Sequence, residues 1–276
     1  MKTSKWIMLG VIALAGIGLS GCGNDAESEA NTQKGTEVKV GTGNDGLPYC
    51  YLNEEGEYDG YDVQVVKAID EKLEDYYFTF QGGDFPTTLS NLESKKVDFA
   101  AYEYEINEER QEKFTYGDVG YVVWDTYIVT DSTQGAPIDS FEELKGKKVY
   151  VTTATNQAAM AEAYLAENDG AFELVYGEYT PEQIVQSVTS GAVDATLAPK
   201  YQVDTYNRSF DVALETGEKP VHKSDAYLLF NKETDKELME AINGALTELI
   251  ADGTISEISE EYLQGDYVPK ANEKKG

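Results

Sequence analysis

The sequence predicts an α/β protein of two lobes facing each other across a cleft, and three observations carry that prediction. Strand-like and helix-like segments alternate from Glu37 to Ala100, the pattern of an α/β lobe with a mainly parallel sheet. The alternation resumes from Lys148 to Ala195, where Ser190-Gly-Ala-Val193-Asp194-Ala195 echoes Ser94-Lys-Lys-Val97-Asp98-Phe99 at the same place after a helix. A last strand and two helices over Ser224–Leu263 then bring the chain back to the first lobe. Leaving near Tyr121–Asp125 and returning near Val221–Ala226, the chain crosses between lobes twice, and two crossings make a hinge.

The first segment stands outside this plan. Lys2 and Lys5 precede an apolar run from Trp6 to Leu19, too short and too early for an ordinary membrane span. It ends in Leu19-Ser20-Gly21-Cys22, which resembles the bacterial lipobox, in which the cysteine is lipidated, as with palmitate, and becomes the first mature residue. Residues 1–21 are therefore expected to be a lipoprotein signal peptide and 22–35 a polar, flexible tether, so that Cys22 anchors the mature chain to the outer face of the cell membrane.

The elements follow in order. Glu37–Gly41 reads as a strand, and Gly41, Gly43 and Gly46 fit a dinucleotide-binding spacing; Pro48 and a strand-like run from Tyr49 to Leu52 exclude the helix that such a motif needs. Tyr61–Leu73 is an amphipathic helix carrying Val65, Val66, Ile69 and Leu73 on one face, Tyr77–Phe80 a strand, and Asp84-Phe85-Pro86 the start of a helix through Leu92. Tyr121–Thr130 is extended, Ser140–Glu143 reads as a capping box, Lys148–Thr152 as a strand, and Thr155 caps a helix from Asn156 to about Ala166. Leu174–Tyr176 is a strand, Thr180-Pro181 opens another helix, and Ser224–Lys232 is a strand before the two closing helices. The expected partition is 36–123 with 225–268 for lobe 1, 124–224 for lobe 2, and 269–276 as a loose tail.

Composition narrows the function. A net charge of −29 argues against nucleic acid as a partner. With His222 the single histidine and Cys50 the one thiol besides Cys22, a His/Cys metal site or a nucleophile–histidine triad lacks parts. No metal or other cofactor is expected, and Cys50 reads as a small packed hydrophobe.

The stretch Asp98–Phe114 carries the chemistry. Tyr102, Glu103, Tyr104 and Glu105 alternate as on a strand, Asn107 is a good N-cap, and Arg110 falls in the first turn of the helix, where the dipole disfavours a cation. A guanidinium for a carboxylate and an anion for an ammonium are what a clamp for an amino acid requires. The alternative is a solvated corner in which Arg110 pairs with Glu108 or Glu109.

Gly60-Tyr-Asp62, Asp84-Phe85, Lys96-Val-Asp98, Asn107-Glu-Glu-Arg110, Leu144-Lys-Gly-Lys147-Lys-Val149 and Asp252-Gly253-Thr254, in this order, resemble the bacterial substrate-binding proteins of the polar amino-acid uptake class, receptors of ATP-driven (ABC) importers. The resemblance runs from about Glu37 to Tyr267. It implies the periplasmic-binding-protein-like type II fold, with two α/β lobes on a two-strand hinge, acting as a monomer that binds an amino acid and docks on a membrane permease. It also implies that Arg110 grips the ligand carboxylate, that the helix start at Thr155-Asn156 contacts the same carboxylate, that Phe85 walls the side-chain pocket, and that Glu103 and Glu105, with Tyr102 beside them, face the ligand. Ala198-Pro199 stands where the family usually has the acid for the ligand ammonium, which leaves Glu105 as the natural candidate. Glu105-x-Asn107-x-x-Arg110 is similar to the subgroup that takes cystine and related sulfur amino acids. Two other functions are expected to leave different traces: a dehydratase on the same scaffold, with Glu103 and Glu105 as acid and base, would show turnover, and a surface adhesion or sensing lipoprotein would bind no amino acid.

Overall fold

The computed structural model describes residues 35–177 and 180–270; the expected signal peptide, Cys22, most of the tether and the last six residues lie outside them. In the first half, β1 (Thr36–Gly43) and the short β2 (Asp45–Gly46), β3 (Cys50–Leu52) and β4 (Tyr58–Asp59) lead into α1 (Tyr61–Lys72). β5 (Tyr76–Gly83), α2 (Phe85–Glu93), β6 (Phe99–Glu105), α3 (Glu108–Lys113) and β7 (Phe114–Val123) follow. After the crossing come β8 (Tyr127–Asp131), a 3-10 turn at Phe141–Leu144, β9 (Lys148–Thr152), α4 (Asn156–Glu167), β10 (Glu173–Gly177) and α5 (Pro181–Thr189). β11 (Thr196–Ala198), α6 (Lys200–Phe210), β12 (Leu214–Thr216), β13 (Asp225–Asn231), α7 (Lys236–Asp252) and α8 (Thr254–Leu263) complete the chain.

The first sheet has the order β5-β1-β6-β13-β7, with β5, β1 and β6 parallel and β13 antiparallel to both its neighbours. The second lobe repeats the plan. β10 and β9 are parallel, a parallel bridge from Val149 to Ala195 leads to β11, and β8 pairs antiparallel with β11 and β12, giving β10-β9-β11-β8-β12. The echoed motif is the point of correspondence. Lys95 and Gly191 both adopt left-handed backbone, with φ of 59° and 73°, to end the preceding helix. Asp98 then accepts from the Lys39 amide at 2.7 Å, and Asp194 from the Lys148 amide at 2.8 Å. In each lobe an aspartate thus ties the incoming strand to its parallel neighbour, β1 in the first lobe and β9 in the second.

Two apolar layers flank the second sheet because its strands alternate. Val149, Val151, Ile128 and Leu197 lie on the side of α4, and Tyr150 and Val129 on the side of α5 and α6. The first lobe has one larger core containing Val38, Val40, Ile69, Phe99, Leu229, Ile242 and Leu246. The crossings run antiparallel: the Trp124 amide donates to the Ser224 carbonyl at 2.8 Å and the Thr126 amide to that of His222 at 2.9 Å.

Several elements differ from expectation. β7 begins at Phe114, immediately after α3, whereas the sequence placed extended chain from Tyr121; the hinge interrupts that run before β8. Ser140 forms no backbone cap; its hydroxyl meets Glu143 at 3.0 Å, and the segment is a 3-10 turn. α6 and β12 had no sequence counterpart, because tyrosines and valine in α6 give it a strand-like composition (Tyr201, Val203, Tyr206). No helix begins on Gly41–Gly46. A Cβ on Gly43 would lie 2.7 Å from both the Cys50 sulfur and the Tyr102 ring, so close packing requires the glycine. Among the described residues no helix is long and apolar enough to cross a membrane.

Candidate functional site

The site forms where the end of β6, the start of α4 and the hinge converge. Asn107 caps α3, its side chain accepting from the Arg110 amide at 2.7 Å. This sets Arg110 into the gap between lobes, where it is 5% exposed. Its guanidinium donates to the Glu105 carbonyl at 2.6 Å and, across the gap, to the Ala154 carbonyl at 2.9 Å. It lies 5.7 Å from the Phe85 ring centroid and 5.4 Å from that of Tyr104, an aromatic bed that suits a weakly hydrated cation. Pairing with Glu108 or Glu109 is not seen; Glu109 pairs with Lys113 instead.

Phe85 is the first residue of α2, held by Asp84, whose carboxylate accepts from the Thr87 amide at 2.7 Å. Thr155 caps α4, accepting from the Ala158 amide at 3.2 Å and donating to the Thr152 carbonyl at 2.7 Å. Phe85, Glu103, Glu105, Arg110, Trp124 and the start of α4 through Gln157 line one narrow pocket. A second shares Trp124, Thr155 and Gln157 with it and extends into the second lobe past Tyr150, Ile184, Leu197 and Tyr206. Trp124 is buried and its indole N–H finds no acceptor, an arrangement that leaves a donor open at the junction of the two pockets.

The structure fixes the partners of Glu105 and corrects two expectations, the shared strand face of Glu103 and Glu105 and the place of Tyr102. Glu105 and Arg110 do not meet carboxylate to guanidinium: Arg110 holds the Glu105 backbone carbonyl. The Glu105 carboxylate turns to the other lobe and the hinge, accepting from Asn156 at 3.1 Å, Gln157 at 3.3 Å and the Ser224 hydroxyl. Burial pushes its pKa up to about 7, opposed by Ser224, Asn156, Arg110 and Gln157. Glu103 and Glu105 do not share a regular strand face. Glu103 has left-handed backbone (φ 46°), and the pairing of β6 with β13 slips between Tyr227 and Leu229, a bulge that re-aims the side chain. Tyr102 does not line the pocket; it stands behind Phe85, ring centroids 5.1 Å apart, in the core of the first lobe.

Sequence reasoning missed Gln157, Ser224, Asp62 and a site role for Trp124. Gln157 follows the predicted helix start and Ser224 lies at the predicted return crossing, so both were within reach. Asp62 entered the sequence reading only as the end of Gly60-Tyr-Asp62, yet it is wholly buried and accepts from the Glu103 amide at 3.2 Å.

Two α/β lobes on a double crossing, with a buried cation and carboxyl groups lining the pocket between them, define a ligand-binding protein of the hinged, two-lobed class. The chain belongs to family 3 of the bacterial extracellular solute-binding proteins, whose family model matches residues 38–265. It is 31% identical over 268 residues to the L-cystine-binding protein TcyK of Bacillus subtilis, covering 97% of this chain and 98% of that one. With TcyJ of the same organism, also an L-cystine-binding protein, identity is 32% over 268 residues, 97% of each chain. Among solved structures, a candidate L-cystine ABC transporter from Listeria monocytogenes superposes with a TM-score of 0.78 at 30% identity, covering 85% of this chain and 98% of that one.

Proposed function

We propose that this protein is the extracytoplasmic receptor of an ATP-driven amino-acid importer and holds an L-amino acid, cystine or a related sulfur or polar amino acid, between its lobes without chemical change. The observation that carries this reading is Arg110, buried on Phe85 and Tyr104 and spanning the gap between lobes beside two buried glutamates. In the bound state its guanidinium receives the ligand carboxylate, helped by the start of α4 at Thr155 and Asn156. The ligand ammonium faces the acids of β6, for which the sequence favours Glu105. A long side chain, such as that of cystine, would run past Trp124 towards Tyr150, Ile184 and Tyr206 as the lobes part. Closure presents a surface to a membrane permease, and a lipid on Cys22 keeps the monomer at the membrane.

Calorimetric titration with L-cystine, L-cysteine, L-glutamine and L-glutamate tests the reading. Tight binding of one of them, and loss of ligand-induced thermal stabilisation in Arg110→Ala, are expected. Stabilisation that survives Arg110→Ala would remove Arg110 from the site. Release of Cys22→Ser from the membrane fraction is the expected sign of the anchor.

A further inference from the structure

Beneath the amino-acid pocket lies a polar cluster that the reading above does not use. Glu103 is 5% exposed, lines the pocket, and neither of its carboxyl oxygens accepts a bond from an N–H or hydroxyl group. Asp62 of α1 is 0% exposed, and ligating atoms of Cys50, Asp62 and Glu103 all lie within 4.8 Å of one another. Two carboxyl groups buried this closely do not both ionise unless a cation joins them; one proton is shared instead. Burial and the neighbouring Asp62 hold Glu103 well above the usual carboxylate range, while burial holds Asp62 at about 6.

The groups around the pair do not provide that cation. Tyr61 of α1, Cys50 of β3, Tyr104 of β6, Tyr121 of β7 and Tyr201 and Tyr206 of α6 face it, all buried and all held protonated. Glu105 adds a further acid to the pocket, and Arg110 directs its two hydrogen bonds at the Glu105 and Ala154 carbonyls rather than at the pair. The contrast with Glu105 is direct: that carboxylate already has three donors, whereas among the described residues Glu103 has only the proton it shares with Asp62.

We infer that the ligand ammonium is received by the Glu103–Asp62 pair rather than by Glu105, and that it displaces the shared proton into solvent, so that amino-acid binding releases a proton. The step balances: a monoprotonated pair of net charge −1 and an ammonium of +1 give a doubly ionised pair bound to the ammonium, plus one free proton. Affinity then rises with pH until the pair is ionised in the free protein. This inference rests on an amino-acid ligand in the cleft, and its test separates the two.

Full-length protein is titrated with L-cystine between pH 6 and 8 in buffers of different ionisation enthalpy, and with 3,3′-dithiodipropionate, which is cystine without its amino groups. Wild type is expected to release up to about one proton per cystine and none with the diacid, with affinity rising up to about tenfold per pH unit. Glu103→Gln keeps the neutral shape and melts no lower than wild type, but loses proton release and about 100-fold in cystine affinity, with the diacid little affected. Asp62→Asn halves the release or more while binding persists, and Glu105→Gln keeps it. Cystine bound without proton release, and equally tightly by Glu103→Gln, would overturn the inference and leave the receptor reading standing. Absence of amino-acid binding by wild type would end both. Thermal stabilisation by manganese(II) or zinc(II) alone, lost in Glu103→Gln, would overturn it by assigning the cluster to a metal.

Discussion

Glu105 serves the fold with one group and the lobe contact with another. Its carbonyl accepts from Arg110 at 2.6 Å and from Tyr116 at 2.8 Å, while its carboxylate joins Asn156, Gln157 and Ser224. Because burial lifts its pKa from 4.5 to about 7, the folded state binds more protons than the unfolded chain between those values. Stability from this residue is therefore greatest at the acid end of that window and falls as pH rises towards 7. Urea unfolding of ligand-free protein at pH 5 and pH 8 is expected to show wild type losing on the order of 2 kcal/mol relative to Glu105→Gln across that span. Parallel profiles would mean that the carboxyl is ionised throughout. Arg110→Lys is expected to fold but bind cystine at least about 100-fold more weakly in calorimetry, since an ammonium cannot reproduce the planar fork. At this scale the sequence singled out Arg110, from the misfit of a cation with a helix start. It did not show their pairing, since a strand alternation of two says nothing of the left-handed turn at Glu103 that splits the two glutamates between different partners.

Elements were legible wherever a local signal governs them. Caps at Asp84, Asn107, Thr155 and Thr180 all accept backbone amides at the helix starts they precede. α6 was not legible, because its tyrosines serve packing rather than propensity: Tyr201 donates to the Val123 carbonyl at 2.8 Å and packs at a tilt against Tyr267, 4.4 Å between ring centroids. The duplicated motif yields a prediction at the same scale. Asp98→Ala removes a side-chain bond to β1 at a partly exposed position, and Asp194→Ala removes one to β9, with an ion pair to Lys147, at an exposed one. Each is expected to cost about 0.5–1.5 kcal/mol, or about 2–4 °C in Tm by calorimetry, with cystine affinity unchanged because both lie outside the pockets. A large loss of affinity in either variant would show that strand anchoring reaches the cleft.

As a whole molecule the protein is two copies of one sheet plan joined by paired crossings, and Trp124 sits where the crossings meet the pockets, 5.1 Å from Tyr49 between ring centroids. Trp6 is the other tryptophan, so in a Trp6→Phe background emission reports on Trp124 alone. Saturating cystine is expected to shift that emission, and an unchanged spectrum would move the ligand away from the hinge. The two-lobe plan could be read from the alternation of segments, but its central irregularity could not: β13, from the far end of the chain, is inserted between β6 and β7. That insertion sets an order of assembly. A nascent polypeptide that has emerged only as far as residue 224 holds every strand of the second sheet but lacks β13 of the first, so that β7 has no edge in common with β5, β1 and β6 until the last fifth of the chain arrives. The contiguous lobe is free to fold while the split one waits, open to chaperones.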